Sequence, residues 1–104
     1  MWSDQEIGFW KEYLQAHHGL DGELERFDGE FDLNIAVRVD GRLDAVLKVM
    51  RVGCASGLVG MQVEALDHLA ATMPDLPVPR VIRRHDGAAA AAVTDLSGNE
   101  RIAW

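Results

Sequence analysis

The stretch from residue 29 to residue 50, GEFDLNIAVRVDGRLDAVLKVM, decides the fold of this chain. It contains two apolar or alternating runs that meet at Asp40-Gly41. An Asp-Gly pair between two such runs favours a tight β-hairpin, because a type I′ turn requires positive φ at both central positions. The second run carries one lysine, Lys48, between apolar neighbours. Burying an ammonium group there costs free energy unless an anion or water reaches it, so Lys48 is the first candidate functional residue.

Length and composition limit the class of protein. The 104 residues suffice for one small domain, residues 1–104, and a hydrophobic fraction of 48% is normal for a single core. A net charge of −7 argues against nucleic acid or an anionic membrane as the main partner. A lone cysteine, Cys54, excludes an internal disulfide, and the chain shows neither a signal-peptide pattern nor an apolar run of membrane-spanning length. These features predict a cytoplasmic protein without a membrane partner.

Hydrophobic periodicity and turn residues predict two helices and up to six strands. The first helix covers residues 3–18 and begins at Ser3 with a capping box, and the second covers residues 58–73 and ends at Pro74. Strands are predicted over residues 23–27, 34–39, 43–50, 80–84, 88–94 and 100–104. The fold class is therefore α+β: an antiparallel sheet of five to six strands with one helix packed on it and an additional N-terminal helix.

Two elements carry the candidate site. Strand 43–50 is apolar on both faces, including the face with Val46 and Lys48, so we expect it to be central and covered on both sides. On the second helix, Gln62 falls within the apolar stripe, whereas Glu64 lies on the opposite side. The amide oxygen of Gln62 can accept a hydrogen bond from an ammonium group, so Gln62 is the candidate partner of Lys48.

Four segments carry a family resemblance: GEFDLN, GRLDAVLKV, MQVEALDHLA and PDLPVPRVI. In order and spacing they look like the consensus of the aminoglycoside phosphotransferase superfamily, and the element order resembles the small nucleotide-binding lobe of the protein-kinase-like fold. GEFDLN with a glutamine in the helix is most similar to the choline-kinase and hydroxylysine-kinase-like branch. In that branch, a related phosphotransferase domain is sometimes fused to a class III aminotransferase. The resemblance covers residues 5–104.

The resemblance implies a role for each candidate residue. Lys48 would contact the α- and β-phosphates of ATP or GTP, Val46 would lie against the purine, and Gln62 would hold the lysine. The turn that covers the phosphates would be formed by Gly29, Glu30, Phe31, Asp32 and Asn34. This turn departs from the protein-kinase pattern GxGxxG because it contains a single glycine, which puts tight wrapping of the phosphates by backbone N–H groups in doubt.

The resemblance also implies that the machinery of phosphoryl transfer lies outside this chain. In this superfamily the catalytic base and the Mg²⁺ ligands belong to a second, helical lobe, so no catalytic or metal-binding residue is expected here. A chain that stops within its last strand fits a fragment of such a protein. Residues 85–87, His-Asp-Gly, and residues 95–98, Asp-Leu-Ser-Gly, have the letters of catalytic or metal loops but are expected to be turns. The pair Arg83-Arg84 is expected to be solvated.

Two functions remain open. The first is the ATP- or GTP-binding lobe of an enzyme that transfers the γ-phosphate to a hydroxyl group of a small polar substrate and needs its missing lobe for catalysis. The second is a non-catalytic protein-interaction module with the same architecture, which would expose an apolar patch at Trp2, Trp10 or Trp104. In the second, the ammonium group of Lys48 simply reaches solvent at an edge, and Gln62 only borders the apolar stripe.

Overall fold

A computed structural model describes residues 3–28, 32–54, 56–75 and 79–104. It contains α1 (Asp4–His18), β1 (Glu23–Asp28), β2 (Leu33–Val39), β3 (Arg42–Val49), α2 (Ser56–Thr72), β4 (Ala91–Thr94) and β5 (Glu100–Ala103). The strands form one five-stranded sheet in the order β1-β2-β3-β5-β4, and every neighbouring pair is antiparallel. The predicted α+β fold class is confirmed. Among the described residues, no helix is both long enough and apolar enough to cross a bilayer.

Local signals at both ends set the limits of α1. The Oγ atom of Ser3 accepts a hydrogen bond from the N–H of Glu6 at 3.1 Å, which satisfies one of the free donors of the first turn. Gly19 ends the helix in the left-handed conformation, with φ of 67°, and its N–H donates to the carbonyl oxygen of Gln15. The predicted beginning and end of this helix are therefore confirmed.

The β2–β3 hairpin forms as the Asp-Gly pair predicts. Asp40 has φ of 52° and Gly41 has φ of 77°, so both central residues occupy the region that a type I′ turn requires. The two strands pair from Val39 opposite Arg42 to Leu33 opposite Val49, with one register shift near the turn. This register fixes which residues of β3 share a face.

The two faces of the sheet carry separate apolar clusters, because successive strand residues point to opposite sides. The first cluster packs against α1 and contains Trp10, Tyr13, Leu14, Leu33, Ile35, Val37, Leu47, Val49 and Ala103. The second cluster joins Val59 and Val63 of α2 to Met50, with Ile102 and Trp104 packed against it. β5 therefore contributes residues to both clusters, and Met50, which directly follows β3, lies in the second.

Two predictions about the sheet are wrong, and a third has the wrong boundary. β3 is central, but its second face is covered only at the Met50 end: Val46 is 39% exposed and Lys48 is exposed as well. Residues 80–84 do not form a strand. The edge of β3 is paired with β5, and the chain after residue 84 is bound to α1, where the N–H of His85 donates to the carbonyl oxygen of His17 at 2.7 Å. The strand predicted from residue 88 begins only at Ala91.

Candidate functional site

A cleft of about 930 Å³ opens on the uncovered part of β3. Residues of β3, α2 and the segment 79–82 line it, together with residues from the end of α1. Four predicted site residues lie in its lining: Asn34, Val46, Lys48 and Gln62. The structure therefore brings together candidates that lie on three different elements.

Strand register explains why these side chains meet. Asn34 on β2 pairs with Lys48 on β3, so their side chains lie next to each other on the face opposite α1. Val46 lies two residues before Lys48 and shares that face. Gln62 on α2 is half-buried and closes the cleft from the other side. Strand alternation predicted that Val46 and Lys48 share a face, and the helical stripe predicted Gln62, whereas Asn34 was expected only from the family resemblance.

β5 limits the site at one end. Lys48 and Trp104 exchange two backbone hydrogen bonds, of 2.8 Å and 2.9 Å, and form the last pair between these strands. The N–H and C=O groups of Val46 point to the same edge by the alternation of the strand. No strand partner reaches Val46 there among the described residues. Within the described part of the chain, this main-chain donor and acceptor are thus left without a strand partner beside the cleft.

Among the described residues, the neighbour recorded for the ammonium group of Lys48 is an aromatic ring. Its Nζ atom lies 5.4 Å from the ring centroid of Trp104, within the range of a cation–π interaction. In the part of the chain that the structure describes, no hydrogen bond joins Lys48 to Gln62, although both line the cleft. Trp104, which the protein-interaction alternative named for an exposed apolar patch, is half-buried and is the neighbour of the candidate lysine.

Other predicted residues of the phosphate-covering turn divide into two groups. Gly29, Glu30 and Phe31 lie outside the described residues. The Oδ1 atom of Asp32 accepts a hydrogen bond from the backbone N–H of Arg51 at 2.9 Å. This bond ties the start of β2 to the chain that leaves β3, so one carboxylate oxygen of Asp32 serves the fold.

The loop-like sequences are turns, as predicted. The Oδ1 atom of Asp86 accepts a hydrogen bond from the N–H of Ala88 at 2.9 Å. The Oδ1 atom of Asp95 accepts hydrogen bonds from the N–H groups of Ser97 and Asn99 at 3.0 and 2.9 Å. Each aspartate thus closes its own turn. Among the described residues, no group of three or more His, Cys, Asp or Glu side chains is arranged to hold a metal ion.

A second polar cluster joins α1 to the turn that follows residue 83. The guanidinium group of Arg84 donates to the hydroxyl oxygen of Tyr13 at 2.7 Å and to the Nδ1 atom of His17 at 3.2 Å. Arg84 keeps only 11% of its side chain exposed, so the prediction that it is solvated is wrong. Burial raises the pKa of Tyr13, although the charge of Arg84 and the hydrogen bond from it act in the opposite direction.

Comparison of the chain with protein-family models, with curated protein sequences and with solved structures finds no match in any of the three. The class that the fold and the cleft define is an α+β domain with an apolar cleft and a lysine at its wall.

Proposed function

We propose that this chain is the nucleotide-binding part of a small-molecule phosphotransferase. The phosphoryl donor would be ATP or GTP, and the acceptor would be a hydroxyl group of a small polar compound. The observation that carries the proposal is the position of Lys48, whose ammonium group lies at the wall of a cleft of about 930 Å³. A volume of this order is in the range of small-molecule sites.

The lining of the cleft fits the chemistry of a nucleotide. Val46 offers apolar surface to a flat heterocycle, and its N–H and C=O groups, which have no strand partner at this edge among the described residues, suit a ring edge with a donor and an acceptor. Lys48 supplies the positive charge for an anionic chain, and the amide side chains of Asn34 and Gln62 add neutral polar groups. The four-segment resemblance and the antiparallel five-stranded sheet support the same proposal.

The charge of Lys48 is exposed to solvent, so its contribution is screened and the affinity of this chain alone is expected to be weak, with a Kd of about 1 mM. The described residues do not fit a magnesium site, because they contain no grouping of carboxylates arranged to bind a metal ion. In this proposal, the catalytic base and the metal ligands come from polypeptide outside this chain.

A matched pair of lysine variants tests the proposal, because the chain contains only Lys11 and Lys48. Lys48→Met and Lys11→Met remove the same charge, but only Lys48 lines the cleft. Titration with Mg-ATP, followed by the amide resonances of Val46, Lys48 and Gln62, should give shifts in the wild type and in Lys11→Met. Lys48→Met should weaken binding by about five- to tenfold, since a hydrogen bond to a charged group is worth roughly 1.5–3 kcal/mol before solvent screening.

Either of two results would overturn the proposal. One is the absence of any shift at these amides with several millimolar Mg-ATP. The other is an equal loss of affinity in the two variants, which would show that net charge rather than the cleft lysine attracts the nucleotide.

A non-catalytic protein-interaction module is the second candidate function. Large apolar side chains remain exposed along the cleft, notably Phe27, Leu43 and Ile82, and such a patch can bind a protein. Trp10, which this alternative expected at the surface, is buried in the first cluster, and Trp2 lies outside the described residues. Self-association in sedimentation velocity that Leu43→Ser abolishes, together with an unperturbed ATP titration, would favour this module over the phosphotransferase.

A further inference from the structure

We infer that Trp104 is the positioning residue of Lys48: its indole ring holds the ammonium group at the wall of the cleft, ready for the anionic part of a ligand. The inference rests on the proposed function for the identity of that ligand, a nucleoside triphosphate. The contact itself, with Nζ 5.4 Å from the ring centroid, stands without it.

Trp104 is held firmly enough to position another side chain. Its backbone exchanges two hydrogen bonds with Lys48, of 2.8 and 2.9 Å, so the two residues face each other across the strand pair. Its indole Nε1–H donates to the Sδ atom of Met50 at 3.3 Å, and the ring packs against the second cluster. Backbone and ring are thus both fixed, and the aromatic face is presented to the cleft that Trp104 and Lys48 line.

The side chain of Lys48, in contrast, has the Trp104 ring as its recorded side-chain contact among the described residues. Its side chain is exposed and long, and ordering such a chain on binding costs conformational entropy. A cation–π contact restricts the ammonium group before a ligand arrives and occupies only one side of it, which leaves N–H donors for an anion. Pre-ordering of this kind raises affinity without adding a contact to the ligand.

The described lining of the cleft contains one other permanently charged cation. Arg80 also lines it, but the Nη2 atom of Arg80 donates to the carbonyl oxygen of Pro74 at 2.8 Å. Asp44 contributes a negative charge to the lining. Of the two cations, Lys48 is the one with an aromatic ring beside it among the described residues, so it is the one expected to be pre-ordered for the anionic part of the ligand.

The contact can be measured without any ligand. With ¹³C-labelled lysine, the ε-methylene resonances of Lys48 should shift upfield because of the Trp104 ring current, whereas Lys11 serves as the internal reference. Trp104→Leu should remove the shift, and Trp104→Phe should retain part of it. Helix content by circular dichroism confirms that each variant is folded. An ε-methylene shift of Lys48 that equals that of Lys11 in the wild type would overturn the inference.

The effect on binding is measured with three probes: Mg-ATP, inorganic tripolyphosphate and adenosine. Trp104→Leu should weaken the binding of the two phosphate-bearing probes by about two- to fivefold, which corresponds to the loss of an exposed cation–π contact. The affinity for adenosine should not change. In a Lys48→Met background the same change should have no further effect on these probes. A loss of adenosine affinity would assign to Trp104 a direct contact with the base and would overturn the positioning role.

The two proposals fail in different ways. If the wild type binds none of the three probes, the proposed function and the ligand part of this inference are overturned, and the ring-current shift alone decides the Lys48–Trp104 contact. If ATP binding depends on Lys48 but not on Trp104, the proposed function stands and the inference is overturned.

Discussion

Gly22 stands at the entrance to β1, where the chain passes directly against the backbone of β2. A Cβ atom at this position would lie 2.5 Å from the carbonyl oxygen of Arg38 and 3.2 Å from a methyl group of Val37. Because the closer obstacle is backbone, no side-chain rotation can relieve the clash. Gly60 presents the opposite situation, since a Cβ atom there would meet nothing within 4 Å on the exposed side of α2.

The two glycines should therefore respond in opposite directions to alanine. Gly22→Ala should lower the free energy of unfolding by about 1–3 kcal/mol, since the strand must shift to accept the methyl group. Gly60→Ala should raise it by about 0.5–1 kcal/mol, because alanine favours a helix interior. Urea denaturation of both variants and the wild type measures the difference. A stabilised Gly22→Ala variant would show that β1 does not approach β2 as closely as described.

At the scale of elements, the cluster around Arg84 connects α1 to the turn after residue 83. A guanidinium group can only donate hydrogen bonds, so the Nδ1 atom of His17 must carry its lone pair to accept from Arg84. The neighbouring His18 has a buried Nε2 atom with no hydrogen-bond partner in the described part of the chain. Burial lowers the pKa of His18, and the nearby Arg84, His17 and His85 lower it further, against the opposing effect of a hydrogen bond from the His18 ring to the backbone of Arg83.

This cluster predicts that acid weakens the fold. The pKa of His18 lies below its ordinary value of 6.5 in the folded chain, so below about pH 6.5 the unfolded chain binds more protons than the folded one. The free energy of unfolding should fall as the pH decreases from 6.5 towards the lowered pKa of His18. His18→Gln should make the free energy of unfolding depend less on pH, as measured by urea denaturation between about pH 5 and pH 7.

His68→Gln is the matched control, because His68 is exposed on α2 and lies outside the cluster. Its pH dependence should follow the wild type. Equal slopes for the wild type and for His18→Gln would mean that protonation of His18 does not oppose folding.

For the whole molecule, β3 and β5 connect the two apolar clusters. Leu47, Val49 and Ala103 belong to the cluster under α1, and Met50 and Trp104 belong to the cluster with α2. Since Met50 directly follows Val49 of β3, and Ile102 and Ala103 are neighbours in β5, loss of either cluster should disturb the other. We expect the domain to unfold as one cooperative unit.

Val49→Ala tests this coupling, because Val49 is fully buried in the cluster under α1. The change should lower the free energy of unfolding by about 1–3 kcal/mol, because apolar burial is lost and a cavity is left behind. Native-state hydrogen exchange should show an equal loss of protection at Leu14 in α1 and Val63 in α2. Unchanged protection of Val63 would instead identify α2 as a unit that opens independently.

Local sequence determined the elements of this protein. The Ser3 cap, the left-handed Gly19 and the Asp40-Gly41 turn are all specified by neighbours a few residues apart, and the structure confirms each of them. Strand alternation likewise predicted that Val46 and Lys48 share a face, and pairing added Asn34 to it. These features followed from sequence because caps, turns and alternation depend on short-range sterics and hydrogen bonding.

The surroundings of those elements were decided by the tertiary structure alone. The ring of Trp104 beside Lys48 and the contact of the partly buried Arg84 with Tyr13 each join residues more than 50 positions apart in the chain. The open second face of β3 depends on how α2 packs. Period-two alternation showed both faces of β3 to be apolar but could not show that α2 covers only the Met50 end. Only the packing of α2 against β5 settles how much of that face remains open, and the candidate cleft is the part left uncovered.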